Sequence, residues 1–206
     1  MSDLKVIPIF FILVLGAFSF SACEKADPIT TTENLALTAG EQALLQYMWE
    51  EEKLARDVYS YLAGLYDTNV FPNISGSEQS HMDLTLEVMV QYNVVNLGSN
   101  DVGVFTDPAL QDLYDALTAQ GATSIIEALK VGATIEDVDI FDLRAAKSQT
   151  DNPDLISLFN LLECGSGNHM RAFTAKLSGY DVTYSPQYIS TPDYEAILAG
   201  EHMRCG

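Results

Sequence analysis

The sequence predicts an all-α chain built on a bundle of four principal helices, with one or two short extra helices. Three observations predict it. Apolar residues recur at helical spacing through four long stretches. Helix-start signals stand in front of several of those stretches. No segment alternates apolar and polar residues as a half-buried strand would, and no strong internal repeat is present.

The first helix is expected from about Thr38 to Tyr66, with Thr38 as cap and Glu41 three residues on. Asp67 to Asn73, which contains Pro72, reads as a loop. The second helix is expected from about Ile74 to Tyr92. Asn93 to Thr106 then leads to a short helix near Asp107-Pro108, where proline fits the first turn. Thr123 to Ala146 is helical in pattern but contains Gly132. It is one helix or two, because Thr134-Ile135-Glu136-Asp137 can cap a new start. The last long helix opens near Asn152-Pro153 and reaches about Leu177. Beyond Gly179, Tyr, Pro, Ser and Thr dominate, with a short helix near Asp193 to Ala199.

The N-terminus has a different character. Lys5 precedes an apolar run from Val6 to Phe20, followed by Ser21-Ala22-Cys23. A weakly basic start, a short apolar segment and small residues read as an export signal. The run is short for a membrane span, which needs about 20 apolar residues; an uncleaved anchor is the alternative. Phe20-Ser21-Ala22-Cys23 also resembles the bacterial lipobox, with Phe20 where leucine is usual. That resemblance implies cleavage before Cys23, lipidation of its thiol and a place in the bacterial cell envelope, held to a membrane by acyl chains. The expected organisation is a signal peptide (1–22), a flexible tether (23–37), the bundle (38–178) and a C-terminal extension packed on it (179–206). The tether contains Pro28 and the Thr30-Thr31-Thr32 run.

Composition narrows the partners. The net charge is −19, and the signal segment leaves it unchanged because Asp3 and Lys5 cancel. So acidic a chain excludes nucleic acid, whose phosphates it would repel, and disfavours flat binding to anionic lipid. It attracts metal cations. A homodimer is compatible with this balance. With Cys23 lipidated, Cys164 and Cys205 remain, and in an exported protein they either pair or stay free. A bond between them would staple the tail to the last long helix.

Ionisable residues on apolar helix faces supply the candidate chemistry. Glu52 shares its face with Leu45, Met48, Ala55, Tyr59 and Leu62, which is unusual for a carboxylate. Glu51 fits nearly as well, flanked by Tyr47, Leu54 and Val58, and periodicity does not choose between them. Taken alone, Glu52 also reads as a surface partner of Arg56. Glu50, beside Gln46, Lys53 and Asp57, reads as solvated. Glu78 and His81 lie on one face with Phe71, Ile74, Thr85 and Met89, and can offer a metal one oxygen and one nitrogen. Glu136 lies with Leu129, Gly132, Ala133, Ile140 and Leu143, and Asp139 could replace it or join it. The plainer reading is that Glu136 and Asp137 favour a helix N-terminus. His169 shares its face with Leu162, Gly165, Ser166, Ala172 and Phe173. The glycines beside Ser166 suggest close backbone approach or room for a small ligand, and tight helix packing explains them as well.

Jointly these residues resemble the ferritin-like superfamily of di-metal carboxylate proteins, whose pattern is Glu on one helix, Glu-x-x-His on the next, then the same again. Glu52-Lys53-Leu54-Ala55-Arg56-Asp57-Val58-Tyr59 is similar to the superfamily's first-helix motif, and this selects Glu52 over Glu51. More closely, the chain resembles an uncharacterised bacterial and archaeal ferritin-like family. The matching stretches are Glu51 to Tyr59, Ser77 to Met82, Gly103 to Tyr114, Ala128 to Leu143, Gly165 to Phe173 and Tyr184 to Ile189. The resemblance implies a ferritin-like four-helix bundle with two transition-metal ions, iron first, manganese or zinc otherwise. Glu52 and His81 would hold one ion, Glu136 and His169 the other, and Glu78 would bridge. Tyr59 would serve the site by hydrogen bonding or electron relay, or simply pack. Ferroxidase or oxygen- or peroxide-reducing activity would follow. The chain departs from the superfamily at Ser166, where a second Glu-x-x-His would place glutamate, so that a more open coordination position is expected there.

Overall fold

The computed structural model describes residues 36–205. The expected signal peptide, Cys23 and all but the end of the tether fall outside them. Among the described residues the chain is all-helical, with six helices and no strand.

Helix α1 spans Ala39–Leu65. Thr38 caps it reciprocally: its hydroxyl accepts the Glu41 N–H, and the Glu41 carboxylate accepts the Thr38 N–H at 2.9 Å. Helix α2 spans Val70–Gln91, opening four residues earlier than the proline suggested. Pro72 stands in the first turn, where its missing N–H costs no intrahelical bond. Helix α3 is Pro108–Gly121, capped by Asp107. Helix α4 runs unbroken over Ile125–Lys147, with Ser124 as cap. Gly132 does not end it. A Cβ there would lie 2.4 Å from the Phe173 ring, so the glycine serves close packing. Helix α5 spans Pro153–Ser178 behind the Asn152 cap, and α6 spans Thr191–Ala199.

Short links make hairpins of α1 with α2 and of α4 with α5, and the two pairs meet as α2 on α5 and α1 on α4. Helix α3 lies against α1 and α4, and α6 against α5. The apolar interior between the long helices forms two clusters. One contains Val58, Leu62, Phe71, Leu129 and Phe173; the other contains Leu45, Met48, Met89, Leu155 and Phe159. On α1 the division falls between Trp49 and Leu54, on α2 between Ile74 and Met82, and on α5 between Leu162 and Met170. On these three helices Glu50, Glu51 and Glu52, Glu78 and His81, and His169 stand at that division.

Two segments are fastened to the helices by carboxylates. Glu50, read from sequence as solvated, is only 5% exposed because the connection before α3 folds over it. It accepts the Thr106 N–H at 2.7 Å, the Thr106 hydroxyl at 2.8 Å and the Asp107 N–H at 3.1 Å. Beside it, Lys53 donates to Asp57 at 2.7 Å and stands 4.2 Å from the Phe105 ring centroid. Asp57 also accepts the Gly103 N–H at 2.9 Å. Gly103 has φ +72°, and a Cβ would meet the Tyr114 ring at 2.9 Å, so glycine is required there. On α4, Asp137 accepts the Tyr184 hydroxyl and the N–H groups of Gln187, Tyr188 and Ile189, holding the C-terminal segment. Among the described residues no helix is long and apolar enough to cross a membrane.

Candidate metal centre

The polar layer gathers side chains from four helices. Glu52 comes from α1, Glu78 and His81 from α2, Glu136 from α4 and His169 from α5. They form two groups, Glu52 with Glu78 and His81, and Glu78 with Glu136 and His169. Within each group the candidate ligand atoms lie within 4.8 Å of one another. His81 Nδ1 is 3.1 Å from Glu52 Oε2 and 2.8 Å from Glu78 Oε2. His169 Nδ1 is 2.8 Å from Glu78 Oε1 and 3.5 Å from Glu136 Oε2. Glu78 therefore turns one oxygen to each histidine. All five residues are buried.

The two groups could hold metal ions, and their hydrogen bonding is incomplete. Glu52 Oε1, Glu78 Oε1 and His169 Nδ1 are buried without a hydrogen-bond partner, although buried polar atoms ordinarily find one. His169 Nδ1 and Glu78 Oε1 are near enough to bond but are not aligned for it. His81 Nδ1 is hydrogen-bonded to Glu52 Oε2, so the atoms left over for a positive centre are Glu52 Oε1, Glu78 Oε1 and His169 Nδ1. Oxygen and imidazole donors match iron, manganese or zinc. His169 Nε2 is engaged by the Ser77 hydroxyl at 2.9 Å, which leaves Nδ1 for the cluster. His81 is placed by Gly165: a Cβ at that position would lie 2.5 Å from ring atoms Cε1 and Nε2. The space beside Ser166 that the glycines implied is thus filled, on the Gly165 side, by an imidazole.

Electrostatics follow from burial opposed by pairing. Burial disfavours the charged forms of both histidines, but neighbouring carboxylates outweigh it. Glu52 and Glu78 hold His81 well above the ordinary histidine range, and Glu78 and Glu136 push His169 up to about 10. Burial also works against ionised Glu78; the charges of His169 and His81 overcome it and hold this carboxyl below its usual range. Glu52 is pushed up to about 7 by burial, with His81 opposing and Glu78 adding to the rise. Glu136 is raised by burial, against His169 and with Glu78.

Tyr59 is fully buried and donates to Glu136 Oε1 at 2.5 Å, with the Gly132 carbonyl at 3.3 Å. Burial and the charges of Glu136 and Glu78 keep its proton on. Arg56 does not pair with Glu52; it donates to Asp57 and, at 2.7 Å, to Gln79. Glu51 is buried too, but lies outside both groups with neither oxygen bonded. Burial and the charges of Asp139 and Asp142 hold its carboxyl well up. Ser166 is 1% exposed, and its hydroxyl meets Asp139 Oδ2 and the Leu162 carbonyl. Cys164 and Cys205 are joined as a disulfide, with Cα atoms 5.7 Å apart.

Residues 41–201 match the family model described as "Uncharacterized protein domain (DUF2202)". The chain belongs to this family. A relative of this DUF2202 chain is uncharacterized protein MJ0754 of Methanocaldococcus jannaschii, 46% identical over 158 residues, which are 76% of this chain and 85% of the relative. Among solved structures, the crystal structure of hypothetical protein MJ0754 from Methanococcus jannaschii is similar with a TM-score of 0.80 and 43% identity. The likeness covers 81% of this chain and 96% of that one.

Sequence reasoning missed the residues of this DUF2202 chain that aim the histidines. Ser77 precedes Glu78 with no pattern of its own, and Gly165 read as close approach or space without naming His81 as what approaches it. The one available signal was Gly165-Ser166-Gly167 within a helical stretch, where small residues mark close approach.

Proposed function

We propose that this chain is a ferritin-like four-helix bundle that holds two transition-metal ions, iron before manganese or zinc, as an envelope protein anchored through lipidated Cys23. The observation that carries the reading is the sharing of Glu78 between two carboxylate–imidazole groups, with one oxygen toward each histidine. Glu52 and His81 would hold one ion, Glu136 and His169 the other, and Glu78 both. Iron or manganese bound there would supply redox chemistry toward ferrous iron as substrate, oxygen or peroxide; zinc would not.

The chain's own residues would do the rest. Burial of the five donors excludes water and strengthens their hold on charge. Ser77 orients His169, and Gly165 admits the His81 ring. Tyr59 holds a proton at its hydroxyl, directed at Glu136. A second reading, a non-enzymatic metal-binding or partner-binding module, is favoured by one observation: Ser166 stands where the superfamily pattern has a carboxylate.

Metal analysis of the purified protein, with an absorption spectrum in air, tests the reading. His81→Ala and His169→Ala should each strip most of the bound metal, because each removes a nitrogen ligand. Undiminished stoichiometry in both variants would rule out the centre as drawn.

A further inference from the structure

The residue common to both donor groups, Glu78, stands three positions before His81 on α2. Ser166 stands three positions before His169 on α5. Equal helical spacing brings Ser166 toward the same shared space. A serine hydroxyl cannot supply a carboxylate there, but it holds one. Its Oγ meets Asp139 Oδ2, on α4, one turn beyond Glu136. Asp139 is 6% exposed, and its other oxygen, Oδ1, is buried with no hydrogen-bond partner.

We propose that Asp139 is the sixth protein ligand of the centre, presenting Oδ1 to the shared space while Ser166 holds Oδ2. The inference rests on the two-metal reading above and deepens it. Charge balance supports it independently. Two divalent ions bring +4; Glu52, Glu78 and Glu136 supply −3, and neutral imidazoles nothing. A fourth carboxylate makes the buried centre neutral, and uncompensated buried charge is expensive. Asp139 lies three residues after Glu136 on the same face of α4, outside the two donor groups as they stand. Ligating carboxylates are commonly held by an outer hydrogen bond, which is the part Ser166 plays. The superfamily's missing glutamate is thus supplied from the neighbouring helix.

Asp139→Asn is the decisive variant, because an amide keeps the shape and the Ser166 contact but loses the charge. The full protein is titrated anaerobically with Fe2+, and separately with Co2+ while its visible spectrum is followed. Wild type should take up two equivalents. Asp139→Asn should weaken binding of the weaker equivalent by more than the roughly 10- to 100-fold that loss of an outer hydrogen-bond partner costs and change the Co2+ spectrum. Ser166→Ala, which leaves the carboxylate but frees it, should weaken the same step by a smaller factor. Metal-free melting of both variants shows that they fold. Two equivalents with wild-type affinity and spectrum in Asp139→Asn would overturn this inference and leave the five-ligand centre standing. A wild type that takes up neither metal would overturn both.

Discussion

Glu136 and Asp137 are adjacent on α4 and almost equally buried, at 1% and 0% exposure, yet their surroundings are opposite. Asp137 points to the C-terminal segment and accepts four donors, three backbone N–H groups and the Tyr184 hydroxyl. Glu136 points inward, where beside the Tyr59 hydroxyl it meets Glu78 and His169, all converging. On α1 the same division separates Glu50, saturated by Thr106 and Asp107, from Glu52, whose Oε1 has no partner. Burial therefore does not distinguish a site from a fastening. What separates the members of these two pairs is whether donors already complete the carboxylate and whether it converges with the histidines; Glu51, bare but outside both groups, is like the site residues in the first respect only.

The largest effect should come from breaking a fastening. Asp137→Ala leaves three N–H groups and a hydroxyl unpaired and should destabilise the metal-free protein by about 3 kcal/mol or more, measured by denaturant unfolding. Glu136→Gln should shift metal-free stability by less than about 1 kcal/mol while abolishing binding of one ion. Equal losses of stability in the two variants would erase the distinction.

The C-terminal segment is also fastened covalently. Replacing both Cys164 and Cys205 with serine opens a link spanning 41 residues and should cost about 2–4 kcal/mol, read as a lowered melting temperature. Metal content should be retained, because the bond is a fastening. A smaller loss is expected inside the polar layer. Gly165→Ala drives a methyl into the His81 ring, costing about 1–3 kcal/mol and at least tenfold in metal affinity; unchanged affinity would mean that the ring is placed by something else.

The smallest effect lies on the surface, where Glu163 meets Arg144 at 2.7 Å and also Lys147. Burial opposes its ionisation, but the bonds from Lys147 and Arg144 prevail and lower its pKa. A carboxyl depressed on folding adds stability that is complete above the unfolded value, about 4.3, and is lost as pH falls through the lower folded value. Glu163→Gln should therefore cost about 0.5 kcal/mol at pH 7 and nothing in stronger acid. A difference that persists in acid would assign the loss to packing.

Much of the fold was legible because its signals are local. Thr38, Asp107 and Asn152 stand in sequence where they stand as caps. The start of α2 was misplaced because proline was weighed as a breaker instead of a first-turn residue. In the polar layer, Glu52, Glu78, His81, Glu136 and His169 were singled out as ionisable residues on apolar faces. Periodicity alone left Glu51 equal to Glu52, and both are in fact buried. Glu50 and Asp137 were illegible because the groups that bury them lie some 50 residues away along the chain. Helical periodicity cannot register such a partner.

The covering of α1 has a kinetic consequence. Asp57 and Glu50 find their backbone donors 46 to 57 residues further along the chain. Until that stretch returns, the same face of α1 offers water a row of charges, and closing a loop of that length must precede any reward for dehydrating them. Helix α1 can pair with α2 early, through a four-residue link, whereas its outer face dries only when residues 103–107 arrive. By sequence separation the helix should be assembled in two instalments, a local one set by the hairpin and a slower one set by chain return, which mutation of Glu50 would test by its effect on the slower phase.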